Sequence, residues 1–386
     1  MPLDPNLEQR LSQSLNVLQF HRETPDAPDA PDASKASGLA ATNSRDAPTA
    51  AHAPFNPPNV AVVGCGRWGK NLIRNFESLG ALAAVVDAQP ENIRAAYDLS
   101  ERVLTAQAGF PSLDALLASD IGKTLSGVAI ATPTQTHFKL AHQALEAGLN
   151  VYVEKPMATT TEDVQTLQKL AQLQNKQLMV GHLLLYHPAV RRLRQLIVDE
   201  QALGPVLHIE STRLNTNAFR PDESVIWDLA PHDLSMMAYV LNATPAALTH
   251  VRVERTQANL PQGDTKPDIA WLDVAFQTAN GQRINGHAHV SWAHPKKHVQ
   301  LVVRGEHRTA VLDDTQIEGK LQVFNNAKPH QPDWQEAIEY LAIEPLRLEC
   351  QHYLNVMSHA SKIQPLTGAD HALPIVAILQ EAHARI

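Results

Sequence analysis

Asn59-Val60-Ala61-Val62-Val63-Gly64-Cys65-Gly66-Arg67-Trp68-Gly69 decides the fold of this chain. An apolar run of strand length ends in a glycine turn, and a helical pattern follows through Leu72, Ile73 and Phe76. Strand, Gly-rich turn and helix is the context that gives G-x-G-x-x-G its meaning. Gly64 permits the tight turn, Gly66 lets the backbone approach a pyrophosphate, and Gly69 lets helix and strand pack closely. Arg67 and Trp68 complete the turn and are expected beside the same ligand. The free N–H groups at the helix start then face phosphate. A second apolar run, residues 83–86, ends at Asp87. A carboxylate there binds a ribose 2′-OH and repels a 2′-phosphate, so NAD is expected over NADP.

Working outward, residues 59–181 alternate strand and helix patterns, which implies a parallel, doubly wound sheet covered on both faces. Val128-Ala129-Ile130-Ala131 reads as a buried strand ending at Thr132-Pro133-Thr134, and Val151-Tyr152-Val153 as another ending at Glu154-Lys155-Pro156. Beyond Gly181 the pattern changes to α+β, with a helix from about Asp228 to Leu241 and a mainly antiparallel open sheet. The expected division is an N-terminal extension (1–57), a Rossmann domain (58–181) and a substrate-binding and oligomerisation domain (182–386), with C-terminal helices packing back on the Rossmann sheet. Pro-Asp-Ala repeats and an Ala/Ser/Thr/Pro-rich run make the extension a disordered tail by composition. Gly122-Lys123-Thr124 is no phosphate loop, because Leu117 stands where a Walker motif needs glycine.

At 386 residues, 19% charged and 44% hydrophobic, the composition is that of a globular protein with room for two domains. A net charge of −8 leaves no basic footprint for nucleic acid or an anionic membrane, so neither is expected as a partner. No apolar run reaches membrane-spanning length. Two cysteines, Cys65 and Cys350, do not form a disulfide framework, and a reducing cytoplasm fits them. The 19 histidines invite a metal reading, with His287 and His289 alternating along one strand. No cysteine or carboxylate cluster completes a site at metal spacing, so no metal is expected.

Three residues stand out as candidate chemistry. Lys155 follows a parallel strand at its C-terminal end, where open α/β sheets place ligands. Asp228 and His232, four apart, share a face if their segment is helical. Pro231 is best tolerated in a first turn, which places the expected helix start near Asp228. Hydride transfer from an alcohol needs a base for the hydroxyl proton and a charge to orient the oxygen. His232 has the reference pKa of such a base, Lys155 can stabilise or shuttle the proton, and Asp228 can hold substrate or tune the other two. An isolated Lys or Asp/His pair is more often structural, so spacing alone leaves both readings open. Arg213, Asn215, Arg220 and Lys296 (with Lys297 beside it) are cations and an amide that could bind a diphosphate, or a solvated charged face.

Several segments together resemble the Gfo/Idh/MocA family of sugar dehydrogenases. They are the turn 64–69, Ala131-Thr132-Pro133-Thr134-Gln135-Thr136-His137, the run 147–156 through Glu154-Lys155-Pro156, and Asp228-Leu229-Ala230-Pro231-His232. The resemblance covers nearly everything from Asn59 onward. It implies that Lys155, Asp228 and His232 line the site beside the nicotinamide, and that Thr132, Pro133, Thr134, His137 and Glu154 lie along the cofactor. Ala230 replaces a glycine common in that pattern, and His182-Leu183-Leu184-Leu185-Tyr186-His187-Pro188 replaces a common Asn-Arg-Arg-Phe-like run. This run and Val290-Ser291-Trp292-Ala293-His294-Pro295-Lys296-Lys297 look like a subgroup that oxidises C3 of UDP-N-acetylglucosamine ahead of an aminotransferase. His182, His187 and Tyr186 are therefore expected near substrate. Homodimers or homotetramers through the second-domain sheet are implied too. The alternatives are a free-sugar or inositol dehydrogenase of the same family, or a cofactor-sensing regulator without turnover; retention of Lys155, Asp228 and His232 weighs against the regulator.

Overall fold

The computed structural model describes residues 57–216, 223–256, 266–331, 334–360 and 363–386. The expected N-terminal tail and Arg220 lie outside them. The first half is built from β1 (Val60–Val63), α1 (Gly69–Ser78), β2 (Leu82–Val86), α2 (Pro90–Tyr97), α3 (Glu101–Thr105), β3 (Gly109–Phe110), α4 (Leu113–Leu117), β4 (Gly127–Ile130), α5 (His137–Glu146), β5 (Asn150–Glu154), α6 (Thr161–Leu173) and β6 (Leu178–Gly181). The six strands pair in parallel in the order β3-β2-β1-β4-β5-β6. Strand order reverses between β1 and β4, which opens a crevice at their C-terminal ends. β1, β4 and β6 are buried at every position, as strands covered on both faces must be.

After β6 the chain forms α7 (Pro188–Arg194), β7 (Val206–Thr216) and α8 (Val225–Leu241). A run of strands follows: β8 (Ala243–Glu254), β9 (Ile269–Thr278), β10 (Arg283–Ser291), β11 (Ala293–Gly305), β12 (Arg308–Asp313), β13 (Leu321–Asn325) and β14 (Gln335–Ala337). Their order is β14-β13-β12-β11-β7-β10-β9-β8, antiparallel except for β7 beside β10. The α/β Rossmann domain followed by a mainly antiparallel open sheet is the expected fold class; β13 and β14 were not foreseen.

Helix α8 lies on one face of the second sheet and is buried at every residue except His232. It begins at Val225, not near Asp228, and Pro231 therefore sits in its second turn. Burial of Val225, Ile226 and Trp227 extends the helix backward over that residue preference. The ring has no N–H for the Trp227 carbonyl, so the helix lacks one backbone hydrogen bond within a turn of Asp228.

Helices α9 (Pro345–Ser358) and α10 (Ala369–Ala384) return to the first sheet. From α9, Tyr353 packs edge-on to Phe76 (6.3 Å) and tilted to Tyr152 (5.8 Å), and donates to the Val128 carbonyl at 3.1 Å. From α10, Asp370 accepts from Gln168 at 2.6 Å.

Candidate active site

The glycine turn after β1 has the geometry a dinucleotide needs. Gly64 has φ +96°, a conformation that L side chains rarely adopt. A Cβ on Gly69 would lie 1.8 Å from the Gly64 carbonyl oxygen, so helix and turn touch through their backbones. A Cβ on Gly66 would meet nothing within 4 Å, so that position faces open space, as a pyrophosphate cradle should. Asp87 follows β2, and its carboxylate accepts from Cys65 N (2.8 Å), Gln89 N (2.8 Å) and Asn92 Nδ2 (3.1 Å). A carboxylate offers about four acceptor positions, so a ribose hydroxyl still finds one. Burial, then the Asp87 charge, pushes the Cys65 thiol up to about 12. The turn therefore carries no thiolate to repel phosphate at neutral pH.

Arg67 and Trp68 are exposed at the turn, and the Trp68 indole N–H donates to Glu154 at the end of β5. Across β4, Thr132 and Thr136 share a hydroxyl bond of 2.6 Å, Pro133 is exposed, and Thr134 donates to Glu223. His137, expected along the cofactor, is instead buried, with Nδ1 2.8 Å from the Pro156 carbonyl and Nε2 2.8 Å from that of Thr132. Burial holds its pKa below the usual histidine range, so a neutral ring donates to one carbonyl at a time. Its ring fills the space between the segments that follow β4 and β5.

Lys155 and Asp228 come together although 73 residues separate them. Lys155 Nζ donates to the Asp228 backbone carbonyl at 2.7 Å and to its Oδ1 at 3.2 Å, with only 9% and 6% of the two side chains exposed. Asp228 Oδ2 accepts from the Trp292 indole at 3.0 Å. Asp228 thus orients Lys155. His232, one turn further along α8, is the half-buried residue of an otherwise buried helix. Trp292 was quoted in the resembling run but given no site role; its indole becomes a partner only because β10 ends against α8. Glu223, whose Oε2 is buried without a partner, had no sequence signal.

The expected substrate residues divide. His182 is buried beside Lys155, edge-on to His371 (5.3 Å), with Nδ1 lacking a partner. Burial first, then His371 and Lys155, keeps its pKa well below the usual range. Asn215 lies on β7 near the end that pairs with Ser291. Tyr186 turns inward, fully buried with its ring 5.7 Å from His352, because the turn that carries it packs under α9. Arg213 is neither a surface cation nor a solvated face: its Nε donates to Asp233 at 2.9 Å beneath α8. Lys296 is exposed in an irregular stretch of β11, between the positions that pair with Leu214 and Thr216 of β7. His187 caps α7 through Ala189 N (3.2 Å). His287 pairs with Asp273 and His289 stacks on Trp271 at 4.8 Å. Among the described residues no group of three or more His, Cys, Asp or Glu could hold a metal, and no helix is long and apolar enough to cross a membrane.

The family model described as "Oxidoreductase family, NAD-binding Rossmann fold" matches residues 58–182, and that of the "GFO/IDH/MocA C-terminal domain" matches residues 190–311. The chain belongs to the Gfo/Idh/MocA oxidoreductase family. Its first domain is accordingly the NAD-binding Rossmann fold of that family. Among curated relatives, the UDP-N-acetylglucosamine 3-dehydrogenase of Acidithiobacillus ferrooxidans is 36% identical over 197 residues, 50% of this chain. That match spans only 58% of the relative's length. The inositol 2-dehydrogenase of Burkholderia cenocepacia is 24% identical over 82% of this chain and 91% of its own. A solved structure of the Acidithiobacillus enzyme superimposes with a TM-score of 0.69 at 24% identity, covering 86% of this chain and 98% of that one; the likeness is one of fold.

Proposed function

We propose that this protein is an NAD-dependent dehydrogenase that oxidises a secondary hydroxyl of a sugar, the substrate being a UDP-linked amino sugar such as UDP-N-acetylglucosamine and the reacting carbon C3. The observation that carries the reading is the buried Lys155–Asp228 pair at the end of β5, with half-buried His232 one turn away. Gly64, Gly66, Arg67, Trp68, Gly69, Asp87, Thr132, Pro133, Thr134 and Glu154 would hold NAD, with residues 58–181 as cofactor domain and 182–386 as substrate domain. When bound, NAD supplies the hydride acceptor.

Of the three N–H bonds on Lys155 Nζ, two are engaged by Asp228. The third donates to the substrate oxygen and stabilises the charge that develops there. His232 takes the hydroxyl proton as general base. His182 and Asn215 contact the sugar. The 36% identity to a UDP-N-acetylglucosamine 3-dehydrogenase supports the nucleotide sugar. The product, a 3-keto sugar, suits an aminotransferase next in sequence, in amino-sugar synthesis for cell-surface polysaccharide or lipid A in the cytoplasm. A homodimer or homotetramer would form through the face of the second sheet that carries His287 and His289.

The longer match to an inositol dehydrogenase favours a second reading, a free polyol as substrate. NADH formation, followed by absorbance with an aminotransferase or carbonyl trap present, separates the two. Turnover with UDP-N-acetylglucosamine and none with N-acetylglucosamine, glucose or myo-inositol is the expected result. Turnover with a free polyol alone would overturn the nucleotide-sugar assignment.

A further inference from the structure

Behind the Lys155 strand lies a buried acid that the proposed chemistry does not use. Glu349, on α9, is fully buried, and its Oε2 lies 3.1 Å from Tyr152 Oη. Tyr152 Oη also lies 2.9 Å from Glu154 Oε1. Each of these two oxygen–oxygen contacts needs a proton, and the phenol has one. A carboxyl group must supply the other. Glu154 accepts the Trp68 indole N–H on Oε1 and the Lys155 backbone N–H on Oε2 (3.3 Å), as an anion does. Among the described residues Glu349 receives no N–H and pairs with no cation, and its Oε1 has no partner. A neutral acid tolerates that site far better than a carboxylate. The proton therefore belongs to Glu349.

We propose that Glu349 is a positioning residue for the cofactor turn: a neutral carboxylic acid that donates to Tyr152, which commits the Tyr152 proton to Glu154 and so holds the carboxylate that ties Trp68 to the Lys155 backbone. Burial raises the pKa of both carboxyls: Glu349, with the Glu154 charge second, goes well above the ordinary value, whereas the Trp68 and Tyr152 hydrogen bonds and the Lys155 charge oppose the rise at Glu154, which agrees with the proton count. The groups facing Glu349 are Glu154 and Tyr152 from β5, Tyr186 from the turn after β6, and Cys350 on its own helix; none is a cation. The space is reserved for the chain of bonds. A Cβ on Gly181 would come within 2.5 Å of Tyr152 Oη and 2.9 Å of Glu154 Oε1.

Infrared spectra of the full chain at neutral pH should show a neutral carboxylic acid band that Glu349→Gln abolishes. NAD titrated calorimetrically should bind Glu349→Gln, which keeps a donor, within about twofold of wild type. Glu349→Met, which fills the site without a donor, and Tyr152→Phe should each bind about three- to tenfold more weakly. The double variant should be no weaker than Tyr152→Phe alone, because Glu349 acts through Tyr152. Absence of the acid band, wild-type affinity in Glu349→Met, or additive losses would overturn the proposal. Should Glu349→Met fail to fold, the band and the Glu349→Gln and Tyr152→Phe affinities still decide. The readout is NAD binding, so failure to oxidise a UDP sugar bears on the substrate reading and leaves this one standing.

Discussion

At the scale of single residues, Lys155 is held twice by Asp228, and Asp228 is held in turn by Trp292. Lys155→Met keeps the apolar stem and removes the donor. It should lower kcat by about 10²- to 10⁴-fold while NAD binding, read by calorimetry, stays near wild type. Loss of NAD binding in step with kcat would assign Lys155 to the cofactor instead. Asp87 presents a carboxylate already fixed by three N–H donors. Asp87→Ala should narrow the preference for NAD over NADP by about tenfold, read as the ratio of kcat/KM values. An unchanged ratio would remove Asp87 from cofactor selection. Of the residues read from the sequence, Lys155 and Asp87 were singled out because each directly follows an apolar strand, and Asp228 because it stands four residues from His232. Tyr186 and Arg213 were not, because which way a side chain turns depends on what packs over it: α9 in one case, Asp233 in the other.

At the scale of elements, the first turn depends on the backbone contact between Gly64 and the start of α1. Gly69→Ala places a Cβ 1.8 Å from the Gly64 carbonyl, backbone against backbone, so the turn must shift. NAD affinity should fall at least tenfold, and the melting temperature should drop by several degrees, as expected for a buried clash of about 1–3 kcal/mol. Wild-type affinity would mean that the turn adapts. Helix α8 teaches the complementary lesson. Its proline preference points to a start near Asp228, yet burial of Val225, Ile226 and Trp227 begins it three residues earlier. Local propensity is worth little against that much apolar surface.

At the scale of the whole molecule, the second domain and the C-terminal helices enclose several neutral histidines. Burial lowers His352 and His371 to about 4 each. Their ring resonances should stay neutral from pH 8 to pH 5 and move only near pH 4; titration near 6.5 would contradict the packing. The sign for stability follows. Below pH 6.5 the unfolded chain takes up protons that these folded rings refuse until about pH 4, so acidification through that window destabilises the fold by up to about 1.4 kcal/mol per unit and group. Glu349, whose pKa is raised, acts with the opposite sign: its contribution is greatest below the ordinary carboxyl range and is lost as pH rises.

The sequence by itself determined the parallel sheet, its glycine turn, the acid after β2 and the presence of a second, mostly antiparallel domain. Those features rest on local chemistry: apolar runs, glycine geometry and periodicity act over a few neighbours in the chain. The tertiary structure alone decided that Lys155 meets Asp228, that Trp292 completes the pair, that Glu349 reaches β5 from 197 residues away through Tyr152, and that the buried His137 ring faces the Pro156 and Thr132 carbonyls. Such contacts join elements far apart in sequence. Periodicity carries no record of them, because each is set by how two buried surfaces close on one another.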